Sequence, residues 1–191
     1  MIQLRYGNTN TFLIPANPGW LLVDTDYAGR LPAFYKALKQ CGVRAGDISW
    51  ILATHYHPDH MGLIPDLLKQ GTQLLLMQTQ REHVHDSDYI FARDGVPFEP
   101  IDETRAKVIR CEESREFLAG IGIAGEIIAT PSHSEGSVSL ILDDGNCFVG
   151  DLEPAAYLEI YENNKALQAD WDAILRCQPK LVYYAHISAK K

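Results

Sequence analysis

The chain has 191 residues, 46% of them hydrophobic, which suffices for a buried core and predicts a single domain over residues 1–191. A net charge of −8 and a pI near 5.3 argue against a broad surface for nucleic acid or anionic membranes. Its four cysteines (Cys41, Cys111, Cys147, Cys177) show no CxxC spacing, which suggests reduced thiols in a cytoplasmic protein rather than a disulfide frame or a zinc knuckle.

The first residues lack a basic segment followed by an apolar one, so no export leader is expected. No run is apolar enough to cross a bilayer. Residues 2–6, 10–15 and 20–25 read as short strands, with Ala16-Asn17-Pro18-Gly19 as a hairpin signal. Leu31, Phe34, Tyr35, Leu38 and Cys41 make a helical stripe that Gly42 stops, an outer helix. Residues 48–53 read as a buried strand. A second helix is expected over 62–70, with Pro65 tolerated only in its first turn. Residues 73–77 are another strand.

The stretch 79–100 is polar and irregular, the pattern of a long loop that binds or covers something. His83 and His85 within it are assigned to the surface or a pocket rim, because helical positions two apart do not face one another. Tyr89, Ile90, Phe91, Val96 and Phe98 either pack this loop onto the core or shape a pocket. A short strand (107–110), a helix (112–120) and strands at 126–130 and 137–142 follow. Asp143-Asp144-Gly145 turns into a returning strand on which Cys147, Val149 and Asp151 share a face. Cys147 is then a core residue beneath Asp151. A tyrosine-rich passage (Tyr157, Tyr161), a covering helix over 165–177 and a strand over 181–185 complete the chain.

Thr54-His55-Tyr56-His57-Pro58-Asp59-His60 carries the chemistry. His55 and His57 are two apart, which in extended backbone turns both imidazoles to one side. Pro58 ends the strand, and Asp59 and His60 add two more ligand types. Imidazole nitrogen and carboxylate oxygen are what zinc, iron or manganese accept. His133, Asp151 and His186 each follow a later strand-like run, so that all but two of the seven histidines (His83 and His85) fall in the set.

The pattern His55-x-His57-x-Asp59-His60, then His133, Asp151 and His186 in that order, resembles the metallo-β-lactamase fold superfamily over nearly the whole chain. The resemblance implies an α+β fold, a four-layer αβ/βα sandwich of two mixed sheets flanked by helices, as in the core of glyoxalase II. It also implies one ion at His55, His57 and His133, a second at Asp59, His60 and His186, and Asp151 bridging them. The ions would be two divalent cations, zinc by first expectation with iron or manganese as alternatives. Their activated hydroxide would cleave a small ester, thioester, lactone or phosphoester, with Asp59 or a metal-bound water handling the proton. Asp24, after the third strand, would fit beside the metals, though a solvated turn acid fits the residues equally well. Tyr157 is a candidate to hydrogen-bond a substrate oxyanion, against packing alone. The alternative activity is a mononuclear iron oxidoreductase of the persulfide dioxygenase kind. Three positions depart from the usual pattern: Leu63, Ser132 and Ala185 stand where glycine is more common.

Overall fold

The computed structural model describes residues 1–160 and 163–188. Tyr161 lies outside them.

Strands β1 (Ile2–Arg5), β2 (Asn10–Pro15), β3 (Trp20–Val23), β4 (Ile48–Leu52), β5 (Gln73–Met77) and β6 (Lys107–Ile109) form one sheet in that order. Pairing is antiparallel from β1 to β3 and parallel from β3 to β6. A second sheet has the order β10-β9-β8-β7, built from β7 (Gly125–Ala129), β8 (Val138–Leu142), β9 (Asn146–Phe148) and β10 (Leu181–Tyr183). There β10 runs parallel to β9 and the other pairs are antiparallel. The helices are α1 (Leu31–Gln40), α2 (Pro58–Met61), α3 (Ile64–Lys69), α4 (Asp88–Arg93), α5 (Ser114–Gly120) and α6 (Lys165–Arg176).

Alternation along the strands sorts the apolar side chains into layers. Phe12, Ile14, Leu21 and Val23 face Ile127, Leu140 and Phe148 between the sheets. Leu13, Leu22, Ile51 and Leu74 point the other way, onto Phe34 and Leu38 of α1 and Ile64 and Leu67 of α3. Ile141, Cys147 and Val182 on the outer face of the second sheet meet Leu167, Trp171 and Ile174 of α6. Both faces of each sheet are therefore covered, which is why the central strands read as nearly continuous apolar runs. The result is the expected four-layer sandwich. Phe34 is fully buried, and truncating it to alanine would cost roughly 3–5 kcal/mol.

Three local expectations are corrected. The helix expected over 62–70 is the shorter α3, which begins at Ile64 with Pro65 in its first turn as required, and a separate short helix, α2, precedes it over the stretch read as a loop. The stretch 79–100 is not irregular: it holds a 3-10 helix (Gln78–His83) and α4. Val84 and Phe91 anchor it in the core, and Phe91 stacks on Phe98 with ring centroids 4.0 Å apart, whereas Tyr89 stays exposed. Cys147 is a core residue as expected, but it packs toward α6 rather than beneath the metal ligands, and burial pushes its thiol up to about 12. All four cysteines are free thiols.

Candidate metal centre

The chain leaves β3, β4, β9 and β10 at one rim, where the two sheets are tied together. Val138 N–H donates to the Thr54 carbonyl (2.8 Å), and Asn10 N–H to the Ala185 carbonyl (2.7 Å). His57 is the residue before α2, extended at φ −74°, ψ 154°, with Pro58 opening the helix. That is the geometry a residue before proline prefers, and proline's missing N–H is harmless in a first turn. Asp59 and His60 are thereby folded back toward His55. Gly62 lets α2 lie against the 26–28 backbone: a Cβ there would come within 2.2 Å of the Ala28 nitrogen.

The structure brings all seven sequence-predicted ligands together in two adjoining groups, His55, His57, His133 and Asp151, and Asp59, His60 and His186. In the first, His57 Nδ1 lies 3.0 Å from His55 Nε2 and 3.1 Å from His133 Nε2. One nitrogen lone pair cannot satisfy two such neighbours. A single cation between the three can, since donors bound at 2.0–2.1 Å in a tetrahedron stand about 3.3 Å apart. Burial, then the neighbouring imidazoles, lowers the His55 pKa well below the usual histidine value. Burial likewise lowers those of His57 and His133. All three are thus held neutral, the form that ligates.

The second group differs. His186 Nε2 lies 3.2 Å from Asp59 Oδ2 and 3.2 Å from Asp151 Oδ1. His60 Nε2 lies 3.4 Å from Asp151 Oδ2, is fully buried, and has no hydrogen-bond partner among the described residues. Asp151 Oδ2 is also 3.8 Å from His133 and 3.9 Å from His55, so this carboxylate stands between the groups. Burial alone would lower the His60 pKa, but Asp24 and Asp151 outweigh it and raise it to about 10. Hydrogen bonds to Asp151 and Asp59 raise His186 to about 10 as well. Burial opposes ionisation of Asp151 and Asp59, yet His186 holds both below the usual carboxylate range, with His60 adding to the effect. Two imidazolium protons here stand in for positive charge that a cation would supply, so the donor set fits a metal ion.

The residues behind the ligands fix their tautomers. The Asn8 carbonyl, an acceptor only, lies 3.2 Å from His186 Nδ1, which leaves Nε2 for the site. Asp24 accepts from Thr54 N–H (2.6 Å) and from the Thr54 hydroxyl (2.9 Å), and Thr54 Oγ1 is 3.2 Å from His55 Nδ1. Asp24 Oδ2 is also 3.1 Å from His60 Nδ1, an ion-pair distance without hydrogen-bond alignment. Asp24 is 2% exposed, so it is a buried partner to both groups and not a solvated turn acid. Its φ of +58° lies in a region aspartate tolerates better than most side chains.

The family model of the metallo-beta-lactamase superfamily matches residues 4–186. The chain belongs to that superfamily. A beta-lactamase-like protein 2 homolog of Drosophila melanogaster is 26% identical over 93% of this chain and 58% of its own length. A lactamase-like protein, nscB of Aspergillus fumigatus, is 29% identical over 75% of this chain and 37% of its own. The chain therefore spans well under two thirds of these relatives. Among solved structures, TTHA1623 in a di-iron-bound form superposes with a TM-score of 0.72 at 22% identity, covering 100% of this chain and 93% of that one, a likeness of fold.

The departures from the superfamily pattern are absorbed locally. Leu63 is fully buried in the core and its N–H donates to the Thr25 hydroxyl (3.2 Å). Ala185, 1% exposed, donates to the Gly150 carbonyl (3.0 Å). Ser132 N–H donates to Asp170 of α6 (2.8 Å), which anchors the loop that carries His133. Sequence reasoning missed Thr54, Asn8 and Asp170 as supports. Asn8 acts through its backbone and has no side-chain signature. Asp170 had one: it sits in the buried stripe Leu167, Asp170, Trp171, Ile174, where an acid needs a partner. Tyr157 lines a recess of about 320 Å³ with His133, Asp151, His186, Leu152 and Glu153. His83 lies on a separate recess beside His57, and His85 is bonded to Asp88 and Glu103. No described helix is long and apolar enough to cross a membrane.

Proposed function

We propose that residues 1–191 act as one metal-dependent hydrolase domain that cleaves a small ester, thioester, lactone or phosphoester. The observation that carries this reading is the pair of adjoining donor groups with Asp151 between them, opening on a recess of about 320 Å³. That volume lies at the low end of small-molecule sites. His55, His57 and His133 would hold one divalent ion, and Asp59, His60 and His186 the other, with Asp151 shared. When bound, two such ions supply a water of lowered pKa and polarise the oxygen of the bond to be cut.

The chain's own residues then have definite tasks. The buried His55 closes the inner side of the first group to bulk water. Asp59, at the mouth of the second group and 3.2 Å from His186, takes the proton released from the attacking water. Tyr157, on the recess wall, donates its hydroxyl proton in a hydrogen bond to the developing oxyanion. Zinc suits the ligand set, and the di-iron relative keeps iron beside it. The mononuclear oxidoreductase reading would leave Asp59, His60 and His186 without a ligand role, and their clustering argues against it. The free thiols fit a reducing cytoplasm.

The test is a panel of esters, thioesters, lactones and phosphodiesters offered to zinc-, manganese- and iron-loaded protein, with a chelated control. Turnover of at least one class that chelation abolishes is expected, and Tyr157→Phe should slow it roughly tenfold. A fully loaded protein that turns over none of them would sink the reading.

A further inference from the structure

Two histidines outside the metal groups sit two residues apart on neighbouring turns, each held by an aspartate three residues on. His83 Nδ1 bonds Asp86 Oδ2, and His85 Nδ1 bonds Asp88 Oδ2, both at 2.8 Å. They differ in the second nitrogen. His85 Nε2 is taken up by Glu103 at 3.1 Å, so both ends of the ring are tied and the residue is a strut between α4 and the 103–105 turn. His83 Nε2 has, among the described residues, one ion-pair neighbour, Glu135, 3.9 Å away and with a side chain 88% exposed. His83 lines a recess of about 160 Å³ together with Tyr56, His57, Ser134, Glu135 and Gly136 among others. Gly136 makes the approach possible: a Cβ there would stand 3.0 Å from His83 Cβ and 3.1 Å from its ring Cδ2.

We infer that His83, oriented by Asp86, is the proton donor to the leaving group, and that this recess beside His57 is the leaving-group subsite. The inference rests on the proposed hydrolysis. Asp86 accepts from Nδ1–H, so Nε2 is the ring position left to exchange a proton with a bound group. As the bond from carbon to the leaving oxygen or sulfur breaks, its electron pair goes to that atom. The Nε2 proton follows it to form the free alcohol or thiol. Water supplies the hydroxyl on carbon and its other proton goes to Asp59, which releases it to solvent, and His83 regains a proton from solvent once the alcohol or thiol has left. The charged and titratable groups around this ring are Asp86 and Glu135, with Tyr56 and the ligand His57 across the recess.

The experiment compares wild type, His83→Gln and Asp86→Asn on acetate esters of 4-nitrophenol, phenol and ethanol, with bound metal measured in each protein. 4-Nitrophenolate leaves without protonation and ethoxide does not. His83→Gln should lower kcat on the ethyl ester on the order of 100-fold or more, and on the 4-nitrophenyl ester less than about threefold. Asp86→Asn should show the same pattern, weaker, and metal content should not change. An equal loss on all three esters, or none, would overturn the assignment. Imidazole 15N shifts give a readout without turnover. Free 4-nitrophenol should perturb His83 Nε2 in wild type and not the resonances of His85, and no perturbation would count against the subsite. If loaded wild type hydrolyses none of the three esters, the same variants are compared on leaving groups of the panel class it does cleave; if it cleaves no class the proposed function fails, and the 15N measurement decides the subsite in either case.

Discussion

The two donor groups use the same residue types under opposite electrostatics. In the first, a buried His55 and half-buried His57 and His133 face one another, and desolvation and mutual repulsion lower their pKa values. In the second, carboxylates surround the imidazoles, and His60 and His186 are raised to about 10. A cation entering the first group meets lone pairs that are ready. A cation entering the second must displace protons. The ligand list alone would treat the sites as equal, whereas the surrounding charge makes one a preformed site and the other an exchange site.

Asp151 joins the two, so its loss should produce the largest effect. Asp151→Asn is expected to release the second ion, weaken the first, and lower hydrolysis on the order of 1,000-fold, with the circular dichroism spectrum unchanged. Retention of both ions in that variant would break the claim that the carboxylate is shared. Asp24 comes next, since it supports His55 through Thr54 and faces His60 directly. Asp24→Asn should weaken metal affinity at both groups by about 10–100-fold, read by chelator competition. Weakening confined to one group would show that Asp24 serves that group alone.

The smallest effect is also the sharpest. Because His60 and His186 are protonated below about 10 and the first three imidazoles are neutral, metal uptake near pH 7 should release protons at the second group and almost none at the first. Apparent affinity for the second ion should therefore rise with pH toward about 10, and that ion should be lost first on acidification. Calorimetry in buffers of different ionisation enthalpy measures this. Equal proton release for both ions would remove the distinction drawn between the groups.

Much of this was legible in the residues, for a physical reason. Nearly continuous apolar runs ending in ligand types such as His55 and Asp151 report directly on sheets covered on both faces, so the architecture and the candidate ligands could be read together. What escaped was set by tertiary contact. The short helix α2 ends at Gly62 against the backbone of 26–28, a close approach that no local pattern encodes. The helices within 78–93 are anchored by Val84 and Phe91, too few apolar residues to stand out in a polar stretch. Asn8 enters through a carbonyl delivered from a distant turn.

The central claim is that two ions sit side by side, and counting them tests it most directly. Elemental mass spectrometry of protein purified without added metal, then reconstituted with zinc, manganese or iron, should give two equivalents for wild type. His186→Ala should fall toward one, because it removes a ligand of the second group and leaves His55, His57 and His133 intact. One equivalent in wild type, unchanged by the substitution, would contradict the paired centre, and none after reconstitution would contradict a metal centre altogether.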